Sequence, residues 1–317
     1  MKGRLRTGAA LLAVALLAGC GGGGESHPTT PAGNPPAQPL EDLVLTSGNI
    51  PRVRAADFRE PTARYRRYVV EELSAMQGDV DRLRAAVAAG DLGAARRAWL
   101  AADERYESIG AAYGAFGELD ARINGGPGGL KGGVSSPRFT GLHRIELTLW
   151  DPSSTADAAP YVDRLDRDVA ALRREVPTIE IEPLEYVLRA HEVLEGTLDL
   201  QLSGREGSWS GAALRALRGN LHGTEVVLGS LEGLIRRRSA VVAQRSQASL
   251  AALAAALRRL EGRGGSLPRW DQAAERTRTE IAGLTAAAAE QLAYVPEVID
   301  PRPPLPRKSA IGKVAAE

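Results

Sequence analysis

Apolar residues recur at three- and four-residue intervals from about position 57 onward, and no stretch alternates strictly between apolar and polar. This pattern predicts an all-α chain. The first stripe is Tyr65, Tyr68, Val69, Leu73, Met76, Val80, Leu83 and Val87, which predicts a helix over residues 61–89. Gly90-Asp91 breaks it, and a second helix over 92–116 carries Trp99, Ala102, Tyr106, Ile109 and Tyr113 on one face. So short a link makes the two antiparallel. A glycine-rich segment at 124–133 follows, and another helix opens near Phe139, with Ser135, Ser136 and Thr140 as candidate caps and Pro137 suited to a first turn. Further helices are predicted over 161–176, 184–202, 212–237, 240–260 and 267–293. The break at 177–183 divides the chain into two halves, and two antiparallel bundles or one elongated bundle both fit the pattern. From Pro296 the proline-rich end is expected to be loosely ordered.

Several ionisable residues fall inside these stripes, where solvated charge does not belong. His143 and Glu146, three residues apart, share a helical face with Leu142, Leu149 and Trp150. A carboxylate facing a core is costly unless it is paired, protonated or bound to a cation. The pair therefore reads either as a satisfied buried hydrogen bond or as part of a metal site. Glu72 lies within the first stripe, and Asp103 and Glu107 line the margin of the second helix face. Asp120 follows just before the glycine-rich loop, whose spacing matches neither a phosphate-binding loop nor a dinucleotide fingerprint. His191 and Glu195 form a fainter pair among Leu184, Leu188, Leu194 and Leu198, more simply read as a packed, hydrogen-bonded histidine. Glu225 lies among the inward leucines of the 212–237 helix.

Composition changes the picture mainly at the ends. Lys2, Arg4 and Arg6 precede a short apolar run, the pattern of a cleaved signal segment, and its ending Leu17-Ala-Gly-Cys20 resembles the lipobox of bacterial lipoproteins more than an ordinary signal with a chance cysteine. Residues 1–20 are therefore expected to be a lipoprotein signal peptide, with Cys20 becoming the anchored N-terminus. Cys20 is the only cysteine, so neither a disulfide nor a thiolate metal site is available. Residues 21–54, rich in Gly and Pro, read as a disordered tether, 55–295 as the helical domain and 296–317 as a flexible tail. The 40 basic and 39 acidic residues leave a net charge of +1, and without a basic patch or interleaved aromatics the chain is not expected to bind nucleic acid.

Four segments stand in order: Tyr65-Arg-Arg-Tyr-Val-Val-Glu-Glu-Leu, Arg105-Tyr-Glu107, Gly117-Glu-Leu-Asp120 and Pro137-Arg-Phe-Thr-Gly-Leu-His143-Arg-Ile-Glu146. Together they resemble the imelysin-like domain family, and within it the EfeO-type iron-uptake lipoproteins, over residues 55–295. The resemblance implies two antiparallel four-helix bundles, an extracytoplasmic location on the bacterial cell membrane, and a metal site around the His-x-x-Glu pair. His143 and Glu146 match the family motif directly. Glu72, Glu107 and Asp120 match family acidic positions, Glu195 does so more weakly, and Asp103 joins them as an additional candidate. Iron is the implied metal, with zinc or another divalent cation fitting the same imidazole and carboxylate donors. An iron permease and a peroxidase-like protein are the implied partners. The chain departs from the family at Gly110, where a second acid is usual, at Asn124-Gly-Gly-Pro, which replaces an acidic run, and at Ser208-Trp-Ser-Gly. No cupredoxin domain is expected, since the tether occupies its place. A metal-dependent peptidase is the alternative reading, and a helical scaffold without metal a third. Peptidase chemistry wants a general base beside the ion, yet His143 is followed by Arg144.

Overall fold

The computed structural model describes residues 52–151 and 153–300. Cys20, the signal segment, most of the tether and the tail from 301 lie outside the described residues. Among those described there is no strand. The chain is all-α, as the hydrophobic period dictates. The helices are α1 (Arg59–Ala88), α2 (Leu92–Glu107), α3 (Tyr113–Phe116), α4 (Glu118–Ile123), α5 (Gly141–Trp150), α6 (Thr155–Glu175), α7 (Pro183–Gly196), α8 (Ala213–Arg238), α9 (Ala240–Leu260), α10 (Glu275–Leu292) and α11 (Tyr294–Ile299).

The stripe of α1 is buried as expected, with Tyr65, Leu73, Met76, Val80 and Leu83 fully enclosed. Gly90 ends that helix in a left-handed conformation (φ +71°), and Asp91 caps α2 by accepting from the Ala94 N–H at 2.8 Å. In the first half α1 packs on α2 and α6, and α5 packs on α6 and α2. In the second, α7 and α9 each pack on both α8 and α10. The halves meet where α2 crosses α8 at backbone distance. A Cβ added to Gly219 would lie 2.4 Å from the Glu104 carbonyl oxygen, and one on Gly223 would lie 2.0 Å from that of Ser108. Glycine at these two positions, one helical turn apart, is what lets the crossing close.

Several boundaries differ from the expectation, each for a local reason. The second helix stops at Glu107 instead of continuing to 116; a 3-10 turn at Gly110–Ala112, the short α3 and Gly117 (φ +55°) fold the chain back on itself. The helix expected near Phe139 begins at Gly141. Thr140 hydrogen-bonds the Arg122 carbonyl at 3.2 Å instead of capping its own helix. Gly141 (φ +78°) sits so close to the end of α4 that an added Cβ would lie 2.2 Å from the Ile123 oxygen. The helix expected over 184–202 ends in a π-helical turn at Thr197–Gln201, which buries Gln201. The last long helix starts at Glu275, not 267, because Trp270 is drawn inward, its indole N–H donating to the Leu202 carbonyl at 2.9 Å. Residues 296–299 are not loosely ordered: Val295, Val298 and Ile299 are buried, so packing runs past the expected domain end at 295.

Candidate metal centre

The chemistry collects around the first turns of α5. His143 is only 3 % exposed and Glu146 is fully buried. Their contact, His143 Nδ1 to Glu146 Oε2, is long at 3.5 Å. The other Glu146 oxygen is held firmly: Oε1 accepts from the Ser210 backbone N–H at 2.8 Å and from its hydroxyl at 2.6 Å. Ser210 is braced in turn by Arg269, whose guanidinium donates to the Ser210 carbonyl at 2.5 Å and pairs with Asp271 at 2.8 Å. The loop between α7 and α8 also delivers Glu206, whose Oε2 lies 3.8 Å from His143 Nε2. No hydrogen-bond partner reaches that Nε2 atom among the described residues.

From α2 come Asp103 and Glu107, each 4 % exposed and one turn apart. The Asn220 amide of α8 donates to Glu107 at 2.7 Å, a contact made possible by the tight α2–α8 crossing. Asp120 of α4 is reached by the Tyr106 hydroxyl at 2.8 Å. Asp103 feels the charges of Glu107, His143 and Glu146, and Glu206 those of His143, Glu146 and Asp120. His143, Glu146, Asp103, Glu107, Asp120 and Glu206 thus share one electrostatic neighbourhood.

The titration of these groups reflects crowding in a buried place. Burial pushes Asp103 well above the usual carboxylate range, and the Glu107 charge adds to it. Burial lifts Glu107 to about 7, with Glu206 adding to the rise and amide hydrogen bonds from Asn220 and Asn124 opposing it. Burial likewise raises Asp120 and Glu206. For His143 burial works against the charged form, but the hydrogen bond and charge of Glu146, then Glu206 and Asp103, outweigh it and hold the imidazole up at about 9. Protons therefore do the neutralising that a cation could do. Among the described residues no three His, Asp or Glu side chains already stand in a metal-holding arrangement.

The expected set is only partly assembled. His143, Glu146, Glu107, Asp103 and Asp120 come together, but Glu72 does not. Its carboxylate is paired with Arg105 at 3.0 Å, and Arg105 also binds the buried Asp79 at 2.7 Å. Glu72 lines a separate cleft of about 550 Å³ with Glu104, Arg218 and His222, on the other side of α2. Glu195 points to solvent on α7, and Glu225 is exposed on α8. Gly110, where the family resemblance leads one to expect an acid, is buried, and an added Cβ would lie 3.4 Å from Val193 and 3.6 Å from the Asn220 oxygen. Arg144 is turned away from the cluster, stacked over Tyr161 at 4.7 Å and donating to the Val134 carbonyl at 2.7 Å. Glu206 and Ser210 are absent from the sequence-based set, because a loop with no periodicity carries no mark of which way its side chains face.

The imelysin family model matches residues 61–295. Among characterised proteins, the chain is similar to the iron uptake system component EfeM of Pseudomonas syringae pv. syringae, 26 % identical over 257 residues that cover 79 % of this chain and 90 % of that protein. It is also similar to the iron uptake system component EfeO of Yersinia pseudotuberculosis, 25 % identical over 265 residues that cover 83 % of this chain and 71 % of that one. EfeO of Yersinia pestis is 25 % identical over 239 residues, covering 75 % and 63 %.

Proposed function

The chain belongs to the imelysin family, and from that premise we propose that it is an extracytoplasmic, lipid-anchored component of an iron uptake system, with iron as its cargo and His143 at the centre of the carrying site. The observation that carries this reading is the buried His143 ring. Among the described residues its Nε2 atom has no partner, and carboxylates from α2, α5 and the 202–211 loop surround it. One imidazole nitrogen with several carboxylate oxygens is a donor set for borderline and hard cations, iron, zinc and manganese among them, and not for copper(I). The relatives named as iron uptake components supply the choice among these metals. A permease that receives the ion and a peroxidase-like protein that handles its redox state are the partners such a carrier implies. Peptide hydrolysis fits less well, since the side chain after His143 is an arginine locked against Tyr161 and the site is enclosed.

The test is metal content. Purified protein should bind one equivalent of iron(II) or zinc, and the His143→Ala, Glu146→Gln double variant should lose it while keeping its helical circular dichroism. Glutamine at 146 retains an acceptor for the Ser210 donors, so the fold is spared. Undiminished stoichiometry in the double variant would sink the assignment.

A further inference from the structure

Three side-chain atoms at the cluster are buried and, among the described residues, unpartnered: His143 Nε2, which offers a lone pair once the ring gives up its proton, and the amide oxygens Asn124 Oδ1 and Gln201 Oε1. Buried acceptors without partners are uncommon and call for an explanation. Others in this protein, such as Tyr65 OH and Ser246 Oγ, are scattered through the core. These three are tied to one place. Gln201, 6 % exposed, donates its amide N–H to Glu206 Oε2 at 3.3 Å, and that same oxygen lies 3.8 Å from His143 Nε2. The Asn124 amide lies near enough to Glu107 to favour its ionised form. The two segments also touch, since a Cβ on Gly126 would lie 3.6 Å from Glu206 Oε1.

The orientation of both amides is fixed by charge. With Glu206 and Glu107 ionised, as a bound cation requires, turning either amide over would set a carbonyl oxygen against a carboxylate, so each NH2 faces its glutamate and each C=O keeps its lone pairs unused. We infer, building on the carrier reading, that Asn124 and Gln201 complete the cation's shell as neutral oxygen donors, directly or through one water, and thereby tune the site toward a divalent over a trivalent ion. Amide oxygens are hard ligands that manganese- and iron(II)-like ions accept beside carboxylates. They add coordination without adding charge. Attraction between shell and ion scales with the charge of the ion, so each negative charge withheld is felt more by a trivalent cation than by a divalent one.

The experiment uses the purified protein with cobalt(II) as a divalent spectroscopic probe and gallium(III), held by a competing chelator, as a redox-inert trivalent one. Asn124→Asp and Gln201→Glu keep side-chain shape and add one charge each. Each should raise gallium(III) affinity relative to cobalt(II) by about tenfold or more. Gln201→Met, which keeps the volume and removes the oxygen, should weaken cobalt(II) about tenfold and shift its d–d absorption. Metal-free melting curves check that each variant is folded. If the selectivity ratio and the cobalt spectrum stay put in the two charge-adding variants while His143→Ala still abolishes cobalt binding, the amide role is wrong and the carrier site stands. If cobalt binding survives His143→Ala, the site itself is wrong and the amide role falls with it.

Discussion

His143 carries its proton to an unusually high pH because three carboxylates, Glu146, Glu206 and Asp103, outweigh the cost of burying its charge. Between its usual 6.5 and about 9 the folded chain holds a proton that the unfolded chain has released, so stability falls as pH rises through that window. Glu107 acts in the same direction lower down, between 4.5 and about 7, since the folded state favours its protonated form. The metal-free protein should therefore melt progressively lower from pH 5 to pH 9, and His143→Ala should flatten the upper part of that slope in calorimetry with chelator present. Cation affinity should move the other way, tightening as pH rises toward 9, because each proton displaced is then easier to remove. At this scale the sequence was informative where periodicity and chemistry coincide. His143 and Glu146 are marked by lying inside an apolar stripe, and both are buried as that implies. Glu72 carries the same mark yet sits elsewhere, because a stripe says only that a residue faces inward, not that Arg105 waits there to neutralise it.

At the scale of elements, the site depends on how closely α2 and α8 approach. Gly219 and Gly223 leave no room for side chains between the two backbones, and the crossing places Asn220 over Glu107. Gly223→Ala should cost about 1–3 kcal/mol or more in chemical denaturation, because backbone must move to admit the methyl group. It should also weaken cation binding by shifting Asn220 off Glu107, which titration of the same variant measures. The long helices were legible because their core stripes are long and unbroken. Their ends were less so. The stop at Glu107, the π-helical turn that buries Gln201 and the late start of α10 are each decided by contacts between distant segments, such as Trp270 with Leu202, that no local window contains.

For the molecule as a whole, the proposed carrier would be tethered at its single cysteine. No described helix is long and apolar enough to cross a membrane, and the proposed anchor is a lipid on Cys20. Cys20→Ala should move the protein from the membrane fraction to the soluble extracytoplasmic fraction without altering its metal content, which fractionation followed by metal analysis would show. The contact between Glu146 and Ser210 joins residues 64 apart, and that between Glu107 and Asn220 joins residues 113 apart. An ion gripped by both halves would act as a clasp across those long stretches of chain, removing freedom from the unfolded state and holding the 202–211 loop shut against proteases. Unloading would undo the clasp. The working lifetime of the protein outside the cytoplasm would then follow its cargo, with loaded copies persisting and empty ones being cut and cleared.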